Sequence, residues 1–260
     1  MANIELFHDD CLKVLPNITN KSIDLILCDL PYAVSACTWD KLIPVEKLWD
    51  QYKRVLKDDG VILLFGREPF SSLLRSSNLK MYKFDWYWVK PNGADFLNVK
   101  YKPFNVIETI SVFTNNPVSY SKKHVGKQIR YFPQFEQGKS YITKSGKQKN
   151  NASTVRSEIK SIVTENTGTR YPKNTLFFSR DKEKLHSTQK PVALLEYLIK
   201  TYTTEGEKVL DNCMGSGSTG VAAKNLNRNF IGIEMEKRFF NIAKERINRK
   251  KIEVQELKLF

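Results

Sequence analysis

Ile23-Asp24-Leu25-Ile26-Leu27-Cys28-Asp29-Leu30-Pro31-Tyr32 is an almost uninterrupted apolar run that ends in an acid, a proline and an aromatic ring. Such a run reads as a parallel strand buried on both faces, because a sheet face open to water would show alternating polar residues. Similar runs occur at Val61–Phe65, Lys208–Leu210 and Phe230–Ile233. Helical periodicity fills the intervals at Val45–Leu56, Val192–Tyr202, Ser218–Leu226 and Arg238–Asn248. Strands alternating with helices predict an α/β fold, a mostly parallel sheet with helices on both faces. The aromatic and β-branched segments Lys80–Lys90 and Val106–Thr114 predict two more strands, an antiparallel pair at one edge of the sheet.

The chain has 260 residues, 41% of them hydrophobic and 27% charged, a composition that excludes a disordered or fibrous protein. No apolar run is long enough to cross a bilayer, and the first ten residues lack signal-peptide character, so a cytoplasmic protein with no membrane partner is expected. Cys11, Cys28, Cys37 and Cys213 form no C-x-x-C pair, so neither a disulfide framework nor a metal site is expected. The 42 basic residues exceed the 28 acidic ones by 14, a balance suited to a polyanion. Ser121–Arg180 holds 13 basic and 3 acidic residues, so 10 of those charges lie in 60 residues. Seven aromatics share the stretch, and rings interleaved with Lys and Arg suit nucleic acid, supplying stacking and phosphate contacts together. Helical periodicity is lost there. The chain therefore reads as a catalytic domain from residues 1–114 and 181–260, interrupted by a basic insert at 115–180. Candidate nucleic-acid-contacting residues are Lys90, Lys122, Lys123, Lys127, Arg130, Lys144, Lys147, Lys149 and Arg156.

A second turn follows the strand ending at Leu210: Asp211-Asn-Cys-Met-Gly215-Ser-Gly217-Ser218-Thr219-Gly220, then a helix, then a strand ending at Glu234. Glycines allow the backbone to turn tightly and approach a ligand, and an acid beyond the next strand can hold ribose hydroxyls. The spacing also fits a dinucleotide dehydrogenase. Against that, the turn leaves only about 50 residues to complete a sheet, and no second domain carries a hydride-transfer site. In the first turn, Pro31 biases Leu30 toward extended geometry. The Asp29 carboxylate and the Leu30 carbonyl could then accept both hydrogens of an exocyclic amine while Tyr32 stacks on its ring.

These motifs together resemble the amino-group DNA methyltransferases that use S-adenosylmethionine. The family's Asp/Asn/Ser-Pro-Pro-Tyr/Phe/Trp motif is matched by Asp29-Leu30-Pro31-Tyr32, with Leu for the first proline. Its His-Pro-Thr-Gln-Lys-Pro motif is matched by His186-Ser187-Thr188-Gln189-Lys190-Pro191, with Ser for the first proline. The order, catalytic turn before insert before glycine turn, is that of the family's β-type circular permutation. Asp10-Cys11 resembles its short acidic motif, and Trp88–Phe113, with Lys90, Asn98, Lys100 and Glu108, its strand and loop after the catalytic turn. The resemblance implies a Rossmann-like S-adenosylmethionine-dependent methyltransferase fold with an inserted target-recognition region. It implies catalytic roles for Asp29, Leu30, Pro31 and Tyr32. Cofactor contacts are implied for Asp10, Cys11, Asp29, His186, Thr188, Lys190, Asp211, Gly215, Gly217, Ser218, Thr219 and Glu234, with the helix start at Val192 facing the cofactor carboxylate. The activity expected is methylation of adenine N6 in double-stranded DNA, the base being flipped into the pocket. The alternatives are cytosine-N4 methylation, whose enzymes usually carry Ser at the position of Asp29, and, from other classes, an NAD-dependent dehydrogenase or a non-catalytic nucleic-acid binder. A homodimer and a cognate restriction endonuclease stay open as partners.

Overall fold

The computed structural model describes residues 2–32, 42–94, 96–119, 126–144, 163–183, 185 and 189–249. It divides into two compact units, Met1–Phe132 with Asn174–Phe260, and Pro133–Lys173. The larger unit is built on an eight-stranded sheet. Its strands are β1 (Ile4–Phe7), β2 (Ile23–Cys28), β3 (Leu56–Gly66), β4 (Tyr82–Ala94), β5 (Asn105–Phe113), β10 (Thr175–Phe177), β11 (Lys208–Asp211) and β12 (Asn229–Ile233). They lie in the order β1-β12-β11-β2-β3-β5-β4-β10. All neighbours are parallel except β3/β5 and β5/β4.

Two apolar layers flank this sheet. Ile23, Ile26, Cys28, Ile62 and Leu64 face the layer containing α1 (Cys11–Val14), α2 (Val45–Val55) and α3 (Phe70–Ser77). Leu25, Leu27, Val61, Leu63 and Phe65 face the layer of α4 (Val192–Tyr202), α5 (Ser218–Asn225) and α6 (Lys237–Asn248). Alternate residues of β2 and β3 thus point into different layers, and every residue of β2 is buried. This is why these strands read as continuous apolar runs.

The expected antiparallel pair forms, with Trp86 opposite Ile110, but it is not the edge of the sheet. The short strand β10 pairs in parallel outside β4, with Leu176 opposite Trp88. Three residues are too few for a period to show. β3 begins at Leu56, five residues before its apolar run, since Leu56 already pairs with Ile23 while Lys57-Asp58-Asp59-Gly60 carries no apolar signal.

Among the described residues, the smaller unit holds two antiparallel ribbons. β6 (Glu136–Gln137) pairs β9 (Thr169–Arg170), and β7 (Tyr141–Lys144) pairs β8 (Val163–Asn166). Arg170 joins them: it donates to Asn166 Oδ1 and the Lys139 carbonyl, and its guanidinium lies 4.6 Å from the Tyr141 ring centre.

Candidate active site

The carboxyl ends of β2, β11 and β12 lie side by side, the edge at which open α/β sheets hold their ligands. Asp29 is the first residue past β2. Its Oδ1 accepts the Tyr32 hydroxyl and its Oδ2 pairs with Lys190 Nζ. The Tyr32 ring stacks on Phe70, centres 4.8 Å apart and planes at 27°. Lys190 Nζ also lies 3.6 Å from Glu108 Oε2, and Lys90 Nζ lies 3.3 Å from Glu108 Oε1. Asp29, Lys190, Glu108 and Lys90 thus form a row of alternating charge, with both ammonium groups buried.

Burial sets the proton affinities in this row, and the neighbours modify it. Burial pushes the Asp29 carboxyl up and the Lys190 ammonium pulls it back, while the Glu108 charge adds to the upward shift. For Glu108, burial is outweighed by Lys190 and Lys90, which hold it below its ordinary value. Burial opposes the charge on Lys190, yet the carboxylates of Asp29 and Glu108 hold it above its ordinary value. Burial and then the Asp29 charge raise Tyr32 well above a normal phenol, so it stays a hydrogen-bond donor.

The glycine turn lies beside this row. Gly215 and Gly217 have φ of +51° and +79°, the left-handed region that disfavours side chains. Their surroundings differ. A Cβ on Gly215 would meet nothing within 4 Å, whereas one on Gly217 would lie 2.9 Å from Ala243 Cβ. Gly215 is therefore the point where the backbone is open to a ligand, and Gly217 is a glycine because α6 packs there. Gly217→Val should destabilise the protein by about 3 kcal/mol through overpacking and backbone strain, read from its denaturation midpoint. Gly215→Ala should cost about 1 kcal/mol from its φ alone, with its main effect on ligand affinity.

Glu234 Oε2 accepts the Gly215 N–H at 2.8 Å and Oε1 accepts the Glu236 N–H at 2.8 Å, which ties the end of β12 to the turn. Burial raises its carboxyl despite those bonds. Asp211 accepts the Cys213 N–H at 3.1 Å and the Thr219 hydroxyl, and burial pushes its carboxyl up to about 6. Asp10 caps α1, its Oδ1 accepting Leu12 N–H at 2.8 Å. Cys11, Cys28 and Cys213 are free thiols, the first two buried and the third within the turn, and burial drives Cys28 up to about 12. Ser218 opens α5 and accepts Arg246 Nη1 at 2.8 Å.

The motif Gln189-Lys190-Pro191 links the two turns. Lys190 reaches Asp29, and the Gln189 amide oxygen lies 3.5 Å from Ser216 Oγ of the glycine turn. Lys190 thus contacts the Asp29 turn directly, beyond the cofactor role its motif implied. The start of α4 does not face open space: the Asp181 carboxylate accepts Val192 N–H at 3.2 Å. A carboxylate is what the positive end of a helix attracts, and this chain supplies its own.

Two candidate DNA contacts are placed elsewhere. Lys90 is buried against Glu108 and leaves no ammonium face for a phosphate. Arg130 pairs with Glu207 and Asp59 at 2.7 Å and Asp24 at 3.3 Å, toward the amino ends of β2 and β11, away from Asp29. Lys127 and Lys144 are exposed. Lys122, Lys123, Lys147, Lys149, Arg156, His186 and Thr188 lie outside the described residues. Sequence reasoning gave no role to Glu108, Gln189 or Phe70. Glu108 had a readable signal, the one charged residue of the Asn105–Phe113 strand. Phe70 had none, since nothing local marks it as the neighbour of a ring 38 positions earlier.

A profile of the N6/N4 methylase family, described as DNA methylase, matches residues 23–245. The chain belongs to this family. It is 30% identical over 275 aligned positions to the Type II methyltransferase M2.LlaDCHI of Lactococcus lactis subsp. cremoris, covering 95% of this chain and 90% of that one. The fold is shared with the PvuII DNA methyltransferase, described as cytosine-N4-specific, at a TM-score of 0.67 and 18% identity over 97% of this chain and 89% of that one. It is shared also with M1.HpyAVI in complex with SAM, at a TM-score of 0.60 and 24% identity over 94% and 99%. The expected Rossmann-like methyltransferase fold is therefore the fold observed, and the family's methyl donor is S-adenosylmethionine.

Proposed function

We propose that this DNA methyltransferase transfers a methyl group from S-adenosylmethionine to the N6 amine of an adenine flipped out of duplex DNA. The observation that carries this reading is the Asp29 carboxylate, held beside the Tyr32 ring at the end of the central strand. Asp29 and the Leu30 carbonyl accept the two amine hydrogens and leave the nitrogen lone pair directed at the methyl. Tyr32, backed by Phe70, supplies a stacking platform for the base. Lys190 holds Asp29 in its charged form and in a fixed rotamer, and Glu108 with Lys90 fixes Lys190 in turn. Asp29 would take the amine proton as the N–C bond forms and the S–C bond of the sulfonium breaks, the neutral thioether leaving.

The residues around the glycine turn suit the cofactor. Gly215 opens onto free space, Glu234 presents a carboxylate for ribose hydroxyls, and Asp211 a buried carboxylate for the amino acid ammonium. When bound, the cofactor supplies an electrophilic methyl on a sulfonium. Because a cation favours ionised Asp211, affinity for S-adenosylmethionine should rise as pH increases through about 6. Titration calorimetry from pH 5 to 8 reads this, and Asp211→Asn should flatten the profile. A flat wild-type profile would detach Asp211 from the ammonium.

Recognition of the target sequence is assigned to the basic stretch 115–180, with exposed Lys127 and Lys144 on phosphates. If each contacts one phosphate, Lys127→Ala and Lys144→Ala should each reduce the salt slope of DNA binding by about one. The Type II relative makes the modification half of a restriction–modification pair the matching biological role. The deciding experiment is incubation with S-adenosylmethionine and duplex DNA, nucleoside mass spectrometry and mapping of the modified site. N6-methyladenine is the expected product. N4-methylcytosine alone would move the enzyme to the cytosine branch with fold and cofactor unchanged.

A further inference from the structure

Among the described residues of the larger unit, the three most exposed apolar side chains gather at one place, the tip of the β4–β5 hairpin. Leu97 is 89% exposed, Tyr101 87% and Phe96 74%, with Phe104 behind them. Apolar surface of this kind on a domain with a complete core marks a contact site. The tip has a definite shape. Tyr101 N–H is hydrogen-bonded to the Asn98 carbonyl at 2.9 Å, and the Phe96 and Phe104 rings lie 6.4 Å apart as its base. Lys100 and Lys102 flank the apolar residues, so the same tip presents positive charge.

Its position relates it to Asp29. Gly66, the last residue of β3, pairs with Thr109, while β4 and β5 remain paired out to Ala94 and Asn105. The hairpin therefore projects about 13 Å beyond the end of β3, on the edge that carries Asp29. Its two strands also supply Lys90 and Glu108 to the charged row. A projection on the edge that carries Asp29, with an apolar end and basic flanks, matches a polyanion whose interior is a stack of flat rings. A protein surface would need no lysines there, and a bare phosphate backbone would need no Leu97 or Tyr101.

We infer that residues 96–104 form a wedge that enters duplex DNA beside the target and fills the space vacated by the flipped base, with Lys100 and Lys102 on the adjoining phosphates. This rests on the base-flipping reading above and adds the element that holds the duplex open. The pocket would bind the extrahelical base, while Leu97 and Tyr101 would replace its stacking inside the helix.

The test compares wild type with the double variant Leu97→Ala/Tyr101→Ala on two duplexes carrying the mapped site, one fully paired and one with an abasic position opposite the target. The variant is expected to retain wild-type thermal stability and S-adenosylmethionine affinity, to lose about tenfold or more in turnover on the paired duplex, and to recover most of it on the abasic one. Leu97→Met/Tyr101→Phe, which keeps the apolar surface, should behave as wild type on both. Undiminished turnover of the alanine variant on the paired duplex would overturn the proposal. So would an equal loss on both duplexes, and a simultaneous shift in sedimentation would then assign the tip to contact between copies of the chain. Failure of the methyl-transfer reading itself would show separately, as wild-type enzyme inactive on both duplexes.

Discussion

Asp29→Ala is expected to abolish methyl transfer, lowering kcat by about a thousandfold or more, the upper part of the range for loss of a positioned proton acceptor. The substitution removes the acceptor for one amine hydrogen and the destination of the amine proton, and it takes from the buried Lys190 ammonium one of the two carboxylates it pairs with. Affinity for S-adenosylmethionine should stay within about tenfold of wild type, or about 1.4 kcal/mol, because Gly215, Asp211 and Glu234 are held by their own hydrogen bonds. Single-turnover kinetics with calorimetry separate the two effects. Asp29→Asn is the sharper variant, since it keeps the shape and one acceptor oxygen while removing the charge. A tenfold or larger fall in cofactor affinity with unchanged chemistry would move Asp29 from the reaction to the cofactor site.

Much of this arrangement was legible in the sequence because it depends on local chemistry. A strand buried on both faces cannot hide its apolar run, and a glycine turn between strand and helix announces a ligand-approach geometry. The sequence was opaque where distant residues share a charge. Arg130 counted as one of 13 cations in a basic stretch, yet the fold gives it Asp24, Asp59 and Glu207, acids from three separate segments. Lys90 was misread for the same reason, its partner Glu108 being 18 positions away across a hairpin. Charge counting treats every cation as available to solvent, and pairing is decided only when the sheet assembles. The glycine turn shows a subtler limit. Gly215 and Gly217 look equivalent in sequence, but one opens onto free space and the other accommodates Ala243 of α6.

Lys190 separates a reading drawn from motif alone from one drawn from geometry. As a cofactor contact, its replacement by Met would raise the dissociation constant for S-adenosylmethionine and leave the pH dependence of turnover where it was. As the partner of Asp29, its replacement should leave that constant nearly unchanged and lower kcat by about a hundredfold, the lower part of the range for acid–base participants. The pH profile carries the diagnosis. Burial and the Glu108 charge both push the Asp29 carboxyl up, and the Lys190 ammonium is the main force pulling it down. Without it, Asp29 should stay protonated to higher pH, so the acidic limb of the kcat profile should move upward and activity should be partly restored in alkaline buffer. Lys190→Arg, which keeps the charge, should leave that limb near its wild-type position even if geometry costs some rate. An acidic limb unmoved in Lys190→Met would show that Asp29 does not depend on this ion pair for its charge.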